Sequence, residues 1–400
     1  MQSGRTTIAT ELTALDATHP EYAPQFVQRL LDAARQFGAS DVHLLPSPDG
    51  LQISWRFDGV LQPLATFPPG DISNIVARLK VLADLLTYRT DVPQEGRIRG
   101  EQGVEMRIST LPTIHGEKAV VRLFQSGDRF LRLADLGFTA DVHQELARLL
   151  GETSGAILVT GPAGSGKTTT LYACLRELAA KSNSGRSLIT LEDPVEVQVA
   201  GVTQSQASAS AGFDMAAGLR AIVRQDPEVI MVGEIRDRPT AEVALQASLT
   251  GQLVLSSFHA GSASGAISRL LDMGIEPYVL RSGVLAVICQ RLVRRLCECA
   301  KQDDASAAAA NLPAQSAWIP VGCPQCNETG YRGRLLLAEY LRPSTATLHQ
   351  AILTRADANT IADLAKSAGM IDLSARAVTA VEAGQTSPAE IRRVLGGNQP

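Results

Sequence analysis

The chain has 400 residues, 45% hydrophobic and 20% charged, which is enough apolar material for two or more packed domains and too much for a disordered chain. A net charge of −4 with both signs interspersed excludes the basic field that a primary nucleic-acid binder needs. No apolar run reaches the roughly 18 residues of a membrane span, and the first residues lack the apolar core of a secretory signal, so a cytoplasmic protein is expected. Of the six cysteines, four lie in one short region, a distribution that suggests metal ligation rather than disulfides.

Residues 1–20 show no clear periodicity and read as an unpatterned tail. Over 24–37, Phe26, Leu30, Ala33, Ala34 and Phe37 share one helical stripe, and Gly38 supplies the stop. Leu51, Ile53, Trp55 and Phe57 alternate with Gln52, Ser54 and Arg56, and Asp58-Gly59 is a hairpin turn into Val60-Leu61. A second helix follows Asp71, with Ile72, Ile75, Val76, Leu79 and Leu82 at helical spacing. Strands are expected at 97–100, 104–110 and 118–124, making 21–125 a small α+β domain. Residues 126–140 read as a linker, and Asp141 as the cap of a helix running to Leu150. Apolar strands at 156–160, 188–191, 229–232 and 253–255 then alternate with helical patterns at 168–180, 215–223 and 240–249, the signature of a mostly parallel sheet. Beyond it the sequence suggests an apolar helix over 279–289, a low-complexity surface loop at 305–310 and an all-helical piece from 345 on.

The stretch Gly161-Pro162-Ala163-Gly164-Ser165-Gly166-Lys167-Thr168 fits the phosphate-loop pattern of Gly, four residues, Gly-Lys-Ser/Thr. An apolar strand enters it, and a helix leaves it with Leu171, Cys174, Leu175, Leu178 and Ala179 on one stripe. That context lets backbone N–H groups and the helix N-terminus face phosphates. Lys167 would sit on the β- and γ-phosphates and the Thr168 hydroxyl on Mg²⁺, leaving hydrolysis to need a carboxylate that orients water. Two strand ends offer acids, one at Glu192, Asp193 and Glu196 and one at Glu234 and Asp237. Acids at the carboxyl ends of parallel strands stand where ligands bind in open α/β sheets. The same acids would also serve as helix caps or solvated turns, and a phosphate loop in the same sheet favours the chemical role. A third strand ends in His259, which composition alone reads as structural.

The segments GPAGSGKTTTLY (161–172), ITLEDPVE (189–196), GLRAIVRQDPEVIMVGEIRD (218–237) and TGQLVLSSFH (250–259) resemble the Walker A, Asp box, Walker B and His box of the type II secretion and type IV pilus assembly ATPases. ASDVH (39–43), RFDGV (56–60) and PQEGR (93–97) resemble that family's smaller N-terminal domain, and QRLVRRLC (290–297) resembles the lead into its metal region. The resemblance implies a RecA-like P-loop ATPase core over 141–400, preceded by the smaller α+β (PAS-like) domain. The core would include a cysteine region at 291–340 and a helical part at 341–400. A homo-hexamer using ATP and Mg²⁺ is implied, at the cytoplasmic side of the inner membrane. It would be held there through a platform protein and other secretion or pilus components.

Carried over residue by residue, the nucleotide would be held by Gly161, Pro162, Ala163, Gly164, Ser165, Gly166, Lys167, Thr168 and Thr169. Glu192 becomes the general base, Glu234 supports the metal and its water, and His259 becomes a phosphate sensor. Arg97, Arg107 and Arg122 become arginines that reach a neighbouring active site, against the plainer reading of solvent-facing strand residues. A nucleotide-gated scaffold with little turnover and a pilus-retraction motor remain the alternatives. A P-loop kinase is disfavoured, since no arginine-rich lid or acceptor site is evident.

The chain departs from the family pattern in several places. Gln252 stands where members commonly carry a second histidine, and Gly261-Ser262 where they carry Asn-Asp. Cys323-Pro324-Gln325-Cys326 has the gap of a zinc knuckle, but its partner Cys297-Glu298-Cys299 has one residue between ligands. Zinc on Cys297, Cys299, Cys323 and Cys326 is expected, with reduced thiols as the alternative; the shorter gap would chelate from an extended strand, and Arg291, Arg294, Arg332 and Arg334 would offset the site's charge. Family members often have a further N-terminal docking domain, so the chain resembles an extension or secretion ATPase whose docking domain is missing or supplied elsewhere.

Overall fold

The computed structural model describes residues 2–68, 72–99, 105–123, 132–181, 185–208, 212–303, 305–309 and 312–396. Met1, residues 126–131 of the expected linker and Ala310 lie outside them. The chain forms two compact units, one made of 1–128, 297–300 and 320–333, the other of 129–296, 301–319 and 334–400.

The first unit contains α1 (Gln2–Thr13), α2 (Tyr22–Gln36), β1 (Asp41–Ser47), β2 (Gly50–Phe57), β3 (Val60–Phe67), α3 (Ile72–Leu82), β4 (Gln94–Arg99), β5 (Glu105–Thr113) and β6 (Gly116–Leu123). Its strands form one antiparallel sheet in the order β3-β2-β1-β6-β5-β4. The expected stripe of α2 buries Phe26, Leu30 and Ala34 against Leu51, Ile53 and Trp55 of β2 and Val42 and Leu44 of β1. The Asp58-Gly59 hairpin forms with both residues at positive φ, 46° and 84°, the conformation that a two-residue turn between twisted strands demands. The tail expected over 1–20 is instead helical over α1, and Leu12 is only 1% exposed in the same core. Ile8, Leu12 and Leu15 all pack on that core, but three apolar positions in a short polar segment give periodicity little signal. Strand β1 also went unmarked, because exposed Leu45 breaks the alternation of buried Val42 and Leu44.

The second unit continues with α4 (Ala140–Leu149), β7 (Gly155–Thr160), α5 (Lys167–Lys181), β8 (Leu188–Glu192), β9 (Thr203–Gln206), α6 (Met215–Ile222), β10 (Val229–Ile235), α7 (Arg238–Leu249), β11 (Leu253–Phe258), α8 (Ala263–Asp272), α9 (Pro277–Gly283) and β12 (Val284–Leu296). After these come β13 (Lys301–Gln302), α10 (Ala305–Ala309), β14 (Trp318–Ile319), β15 (Tyr331–Leu341), α11 (Ala346–Leu353), α12 (Ala358–Ser367), α13 (Leu373–Glu382) and α14 (Pro388–Leu395). Seven strands make a sheet in the order β15-β12-β7-β11-β10-β8-β9, parallel from β12 through β9. Every residue of β7 is buried. Ala156 and Leu158 enter one core and Ile157 and Val159 another, as a strand covered on both faces requires.

Several expectations for this unit are corrected. The apolar helix placed over 279–289 is a short helix followed by the 13-residue strand β12. A continuous apolar run fits a buried helix or a buried strand equally well, and the slot beside β7 decides for the strand. Residues 305–309, read as a loop, form α10 with Ala307 buried, in keeping with the high helix propensity of alanine. The N-cap of α4 is Thr139 rather than Asp141, which pairs with Arg376. Within the expected linker, a 3-10 turn at Leu133–Leu136 buries Leu133. The four cysteines, placed by sequence in the ATPase domain, belong to the first unit.

The far end of β12 is pinned to α14. Glu390, fully buried, accepts from the Arg294 backbone at 2.9 Å and from the Arg294 guanidinium at 3.0 and 2.7 Å, and also pairs with Arg393. Burial pushes this carboxyl up, but hydrogen bonds from Arg393 and Arg294 outweigh it and hold its pKa below the usual value. The stabilisation is therefore present above the unfolded pKa of about 4.3 and lost as pH falls through the lower folded value. Glu390→Gln is expected to cost roughly 3 kcal/mol at pH 7. Denaturant titration should show that difference shrinking below about pH 4.

Candidate nucleotide site and cysteine cluster

The phosphate loop joins β7 to α5, and two of its glycines, Gly161 and Gly166, are crowded by neighbouring atoms, while Gly164, at φ +75°, has open space. Gly161 has φ +142°, and a Cβ there would stand 2.5 Å from the Gln290 carbonyl oxygen; Gly166, at φ +91°, has Gln290 Nε2 at 3.1 Å. Pro162, Ala163, Gly164, Thr168 and Thr169 are exposed, so the loop and the first turn of α5 face solvent. Lys167 is buried and donates from Nζ to the carbonyls of Gly161 at 2.9 Å and Pro162 at 3.0 Å. Burial lowers its pKa, partly opposed by the nearby Glu234 carboxylate. Ser165 Oγ is buried without a hydrogen-bond partner.

The sheet register brings the other candidates to the same edge. Phe258 of β11 stands opposite both Thr160 of β7 and Ile235 of β10, so His259 leaves the sheet beside the loop, next to the end of β10 where Glu234 stands opposite Ser257. His259 Nε2 lies 3.3 Å from Glu234 Oε2, and Glu234 also pairs with Arg236. Glu192 is different: it is 3% exposed and accepts hydrogen bonds from Tyr172, from Thr190 at 2.6 Å and from Gln204 at 3.1 Å. Tyr172 in turn accepts from the Glu196 and Val197 amides at 3.2 and 3.3 Å. The sequence named Glu192 but missed Tyr172, although Tyr172 lies one turn beyond Thr168 on the phosphate-loop helix. Asp237 takes the plainer of its two readings and caps α7 through the Thr240 amide at 2.8 Å.

The Gln252 departure falls at the start of β11, where its carbonyl accepts from Gly155, and the six residues of that strand separate it from His259. It therefore does not touch the His259–Glu234 pair. Ser262, at the second departure, caps α8 through Gly265 at 3.0 Å.

In the first unit, Arg97 stands opposite Arg107, Arg107 opposite Arg122, and Arg122 opposite Asp41, so the three arginines form one exposed row across β4, β5 and β6. Arg107 pairs with Glu95 at 2.7 Å and Arg122 with the buried carboxylate of Asp41 at 3.1 Å.

The four cysteines converge. Sγ separations are 3.8 Å for Cys297–Cys323, 3.9 Å for Cys299–Cys326 and 3.7 Å for Cys323–Cys326, and all four sulfurs lie within 4.8 Å of one another. A tetrahedral ion with zinc–sulfur bonds of about 2.3 Å needs sulfur–sulfur edges of about 3.8 Å. The Cys323 and Gly330 amides donate to Cys326 Sγ at 3.1 and 3.2 Å. Burial pushes the Cys326 thiol up, but these amides outweigh it and bring it down to about 7. Cys297 and Cys299 achieve their short spacing on a turn rather than on an extended strand. Two of the expected charge-balancing arginines are engaged elsewhere, Arg291 with Gly261 and Arg294 with Glu390.

Residues 16–393 match the family profile described as "Type II/IV secretion system protein". The chain belongs to that family. It is 44% identical over 325 residues to the type II secretion system protein E of Klebsiella pneumoniae, covering 79% of this chain and 65% of that protein. It is 37% identical over 360 residues to the type IV pilus assembly ATPase PilB of Thermus thermophilus, covering 87% of this chain and 40% of that protein. The chain thus spans about two thirds of the first relative's length and less than half of the second's. The X-ray structure of the Legionella pneumophila ATPase DotB superposes with a TM-score of 0.68 at 20% identity, covering 95% of this chain and 97% of that one. The family's α/β fold, a P-loop sheet preceded by a smaller α+β unit, is thereby established for this chain. Among the described residues no helix is long and apolar enough to cross a membrane.

Proposed function

We propose that this secretion-family chain is a Mg²⁺-dependent ATPase that powers a type II secretion or type IV pilus apparatus. The observation that carries the reading is the placement of the phosphate loop, Glu234 and His259 at one edge of a parallel sheet, with Lys167 under the field of Glu234. The unpartnered Ser165 hydroxyl and the open face of the loop fit a triphosphate. Gly161, Pro162, Ala163, Gly164, Ser165, Gly166 and Thr169 form the cradle, Lys167 meets the β- and γ-phosphates, and Thr168 holds the metal. Mg²⁺ would neutralise charge building on the phosphate oxygens.

For the carboxylates, the burial of Glu192 and its three donors favour an exchange of the roles expected from sequence. Glu234, 23% exposed and bonded to His259, is the carboxylate that orients and deprotonates water. Glu192 holds Tyr172, and through it the loop after β8, against the phosphate-loop helix. His259 reports the γ-phosphate through Glu234. Arg97, with Arg107 and Arg122 beside it, would stabilise charge in a neighbouring subunit's site, which calls for a homo-hexamer. The chain would work in the cytoplasm, peripheral to the inner membrane, on a platform protein. Zinc on Cys297, Cys299, Cys323 and Cys326 would brace the first unit. The higher identity to the type II secretion protein favours secretion over pilus assembly.

The test is phosphate release from ATP by the full chain, with and without Mg²⁺. ATP bound and never hydrolysed would overturn the hydrolase reading, and turnover that ignores Mg²⁺ would overturn the metal dependence.

A further inference from the structure

Strand β12 carries two consecutive polar side chains, Gln290 and Arg291, that the chemistry above leaves unused. Gln290 is 1% exposed; its Nε2 donates to the Ser165 carbonyl at 2.8 Å and its Oε1 accepts from Thr170 Oγ1 at 3.1 Å. Both ends of one amide are thus committed to the phosphate loop and the first turn of α5. Arg291 is 9% exposed and donates to the Gly261 carbonyl at 2.5 Å and to Cys289 Sγ at 3.3 Å. Gly261 is the third of three consecutive carbonyls that are held, His259 by Arg269 at 2.6 Å and Ala260 by Thr160 at 3.4 Å. Buried polar groups of this kind are retained only when partnered; apart from Cys289 and the Gln290 carbonyl of β12 itself, the partners lie on the phosphate loop, the first turn of α5 and the loop after β11. The register explains how one strand reaches both. Cys289 stands opposite Thr160, and Thr160 opposite Phe258, so Gln290, in the middle of β12, stands level with Gly161 and His259, where β7 and β11 end.

We propose that Gln290 and Arg291 are positioning residues. Gln290 sets the curvature of the phosphate loop, and Arg291 sets the loop that carries His259, so that adjacent residues of one strand fix the spacing between the cradle and the His259–Glu234 pair. The proposal rests on the nucleotide-binding reading of the loop and separates into two measurable parts. Gln290 governs nucleotide affinity, because its hydrogen bonds shape the groups that meet phosphate. Arg291 governs turnover, because its one hydrogen bond beyond β12 goes to the Gly261 carbonyl on the sensor side; toward the cradle it reaches only the Gln290 carbonyl and the field at Lys167.

The experiment uses the full chain, a fluorescent ADP with Mg²⁺ for affinity, and steady-state ATP hydrolysis for turnover. Gln290→Leu is expected to raise the Mg-ADP Kd at least tenfold. Thr170→Val, which removes the same hydrogen bond from the other side with little change of volume, should raise it about threefold and covers the case in which Gln290→Leu does not fold. Arg291→Met should leave Kd within threefold and lower kcat about tenfold, with Arg291→Lys recovering most of the loss, since an ammonium can still donate to Gly261. Wild-type Mg-ADP affinity in folded Gln290→Leu or in Thr170→Val would overturn the proposal, as would parallel loss of Kd and kcat in Arg291→Met. Failure of the unaltered chain to bind Mg-ADP would instead remove the nucleotide reading, and the proposal with it.

Discussion

Glu234→Gln is expected to lower kcat for ATP hydrolysis by roughly 10²–10⁴, the range for losing a general base, while Mg-ADP affinity stays within a few-fold. The substitution keeps the side chain's size and a contact for His259, so the loss reports the missing charge rather than a collapsed loop. Glu192→Gln is expected to behave differently. Its carboxylate accepts three hydrogen bonds at 3% exposure, and an amide placed there turns an NH₂ group against at least one of those donors. Stability should fall by about 1–3 kcal/mol, with kcat reduced less than tenfold. Phosphate-release kinetics beside denaturant melts of both variants separate the outcomes. A larger kcat loss in Glu192→Gln, at unchanged stability, would return the base role to Glu192.

Removal of the proposed zinc is the second large expected effect. The full chain is expected to purify with one zinc, and Cys326→Ser to carry none. The thiolate contacts close over four sulfurs spaced for a tetrahedral ion, and structural zinc in small modules binds with apparent free energies of about 10–16 kcal/mol. Without the ion, four thiols are left facing one another. Segments 297–300 and 320–333 then keep hydrogen bonds such as the Cys297 amide on the Gly330 carbonyl and the Gly333 amide on the Asp58 carboxylate, both at 2.9 Å, but lose the cross-link between them. Limited proteolysis should cut within 320–333 in Cys326→Ser and in chelator-treated protein, and spare the zinc-loaded chain. Metal analysis of unaltered protein showing no zinc and four freely titrating thiols would refute the site, whatever the ATPase assays give.

The phosphate loop, the strand before it and the helix after it were readable in sequence because glycine, lysine and hydroxyl are needed there for their own local geometry. The hairpin at Asp58-Gly59 and the α2 stripe were legible for the same reason, since turn conformation and helical period are properties of adjacent residues. The convergence of the cysteines was also anticipated, although the one-residue gap resolved into a turn and not a strand. Where burial is uniform, local pattern loses its power. The run that became β12 carries no period to tell strand from helix, and Ala305–Ala309 looked like filler until packing buried Ala307.

Sequence by itself determined the chemistry on offer: a phosphate-binding loop, two acidic strand ends, a histidine and four thiols, each recognisable from residue type and spacing. Only tertiary structure decided how those groups are used. Burial and three donors distinguish Glu192 from Glu234, although both are strand-end glutamates. Likewise, Gln290 and Arg291, read as a prelude to the cysteines, meet the phosphate and His259 loops because β12 lies beside β7. A side chain's partners come from strands distant in sequence, and hydrogen bonding at a few ångströms cannot be inferred from neighbours along the chain.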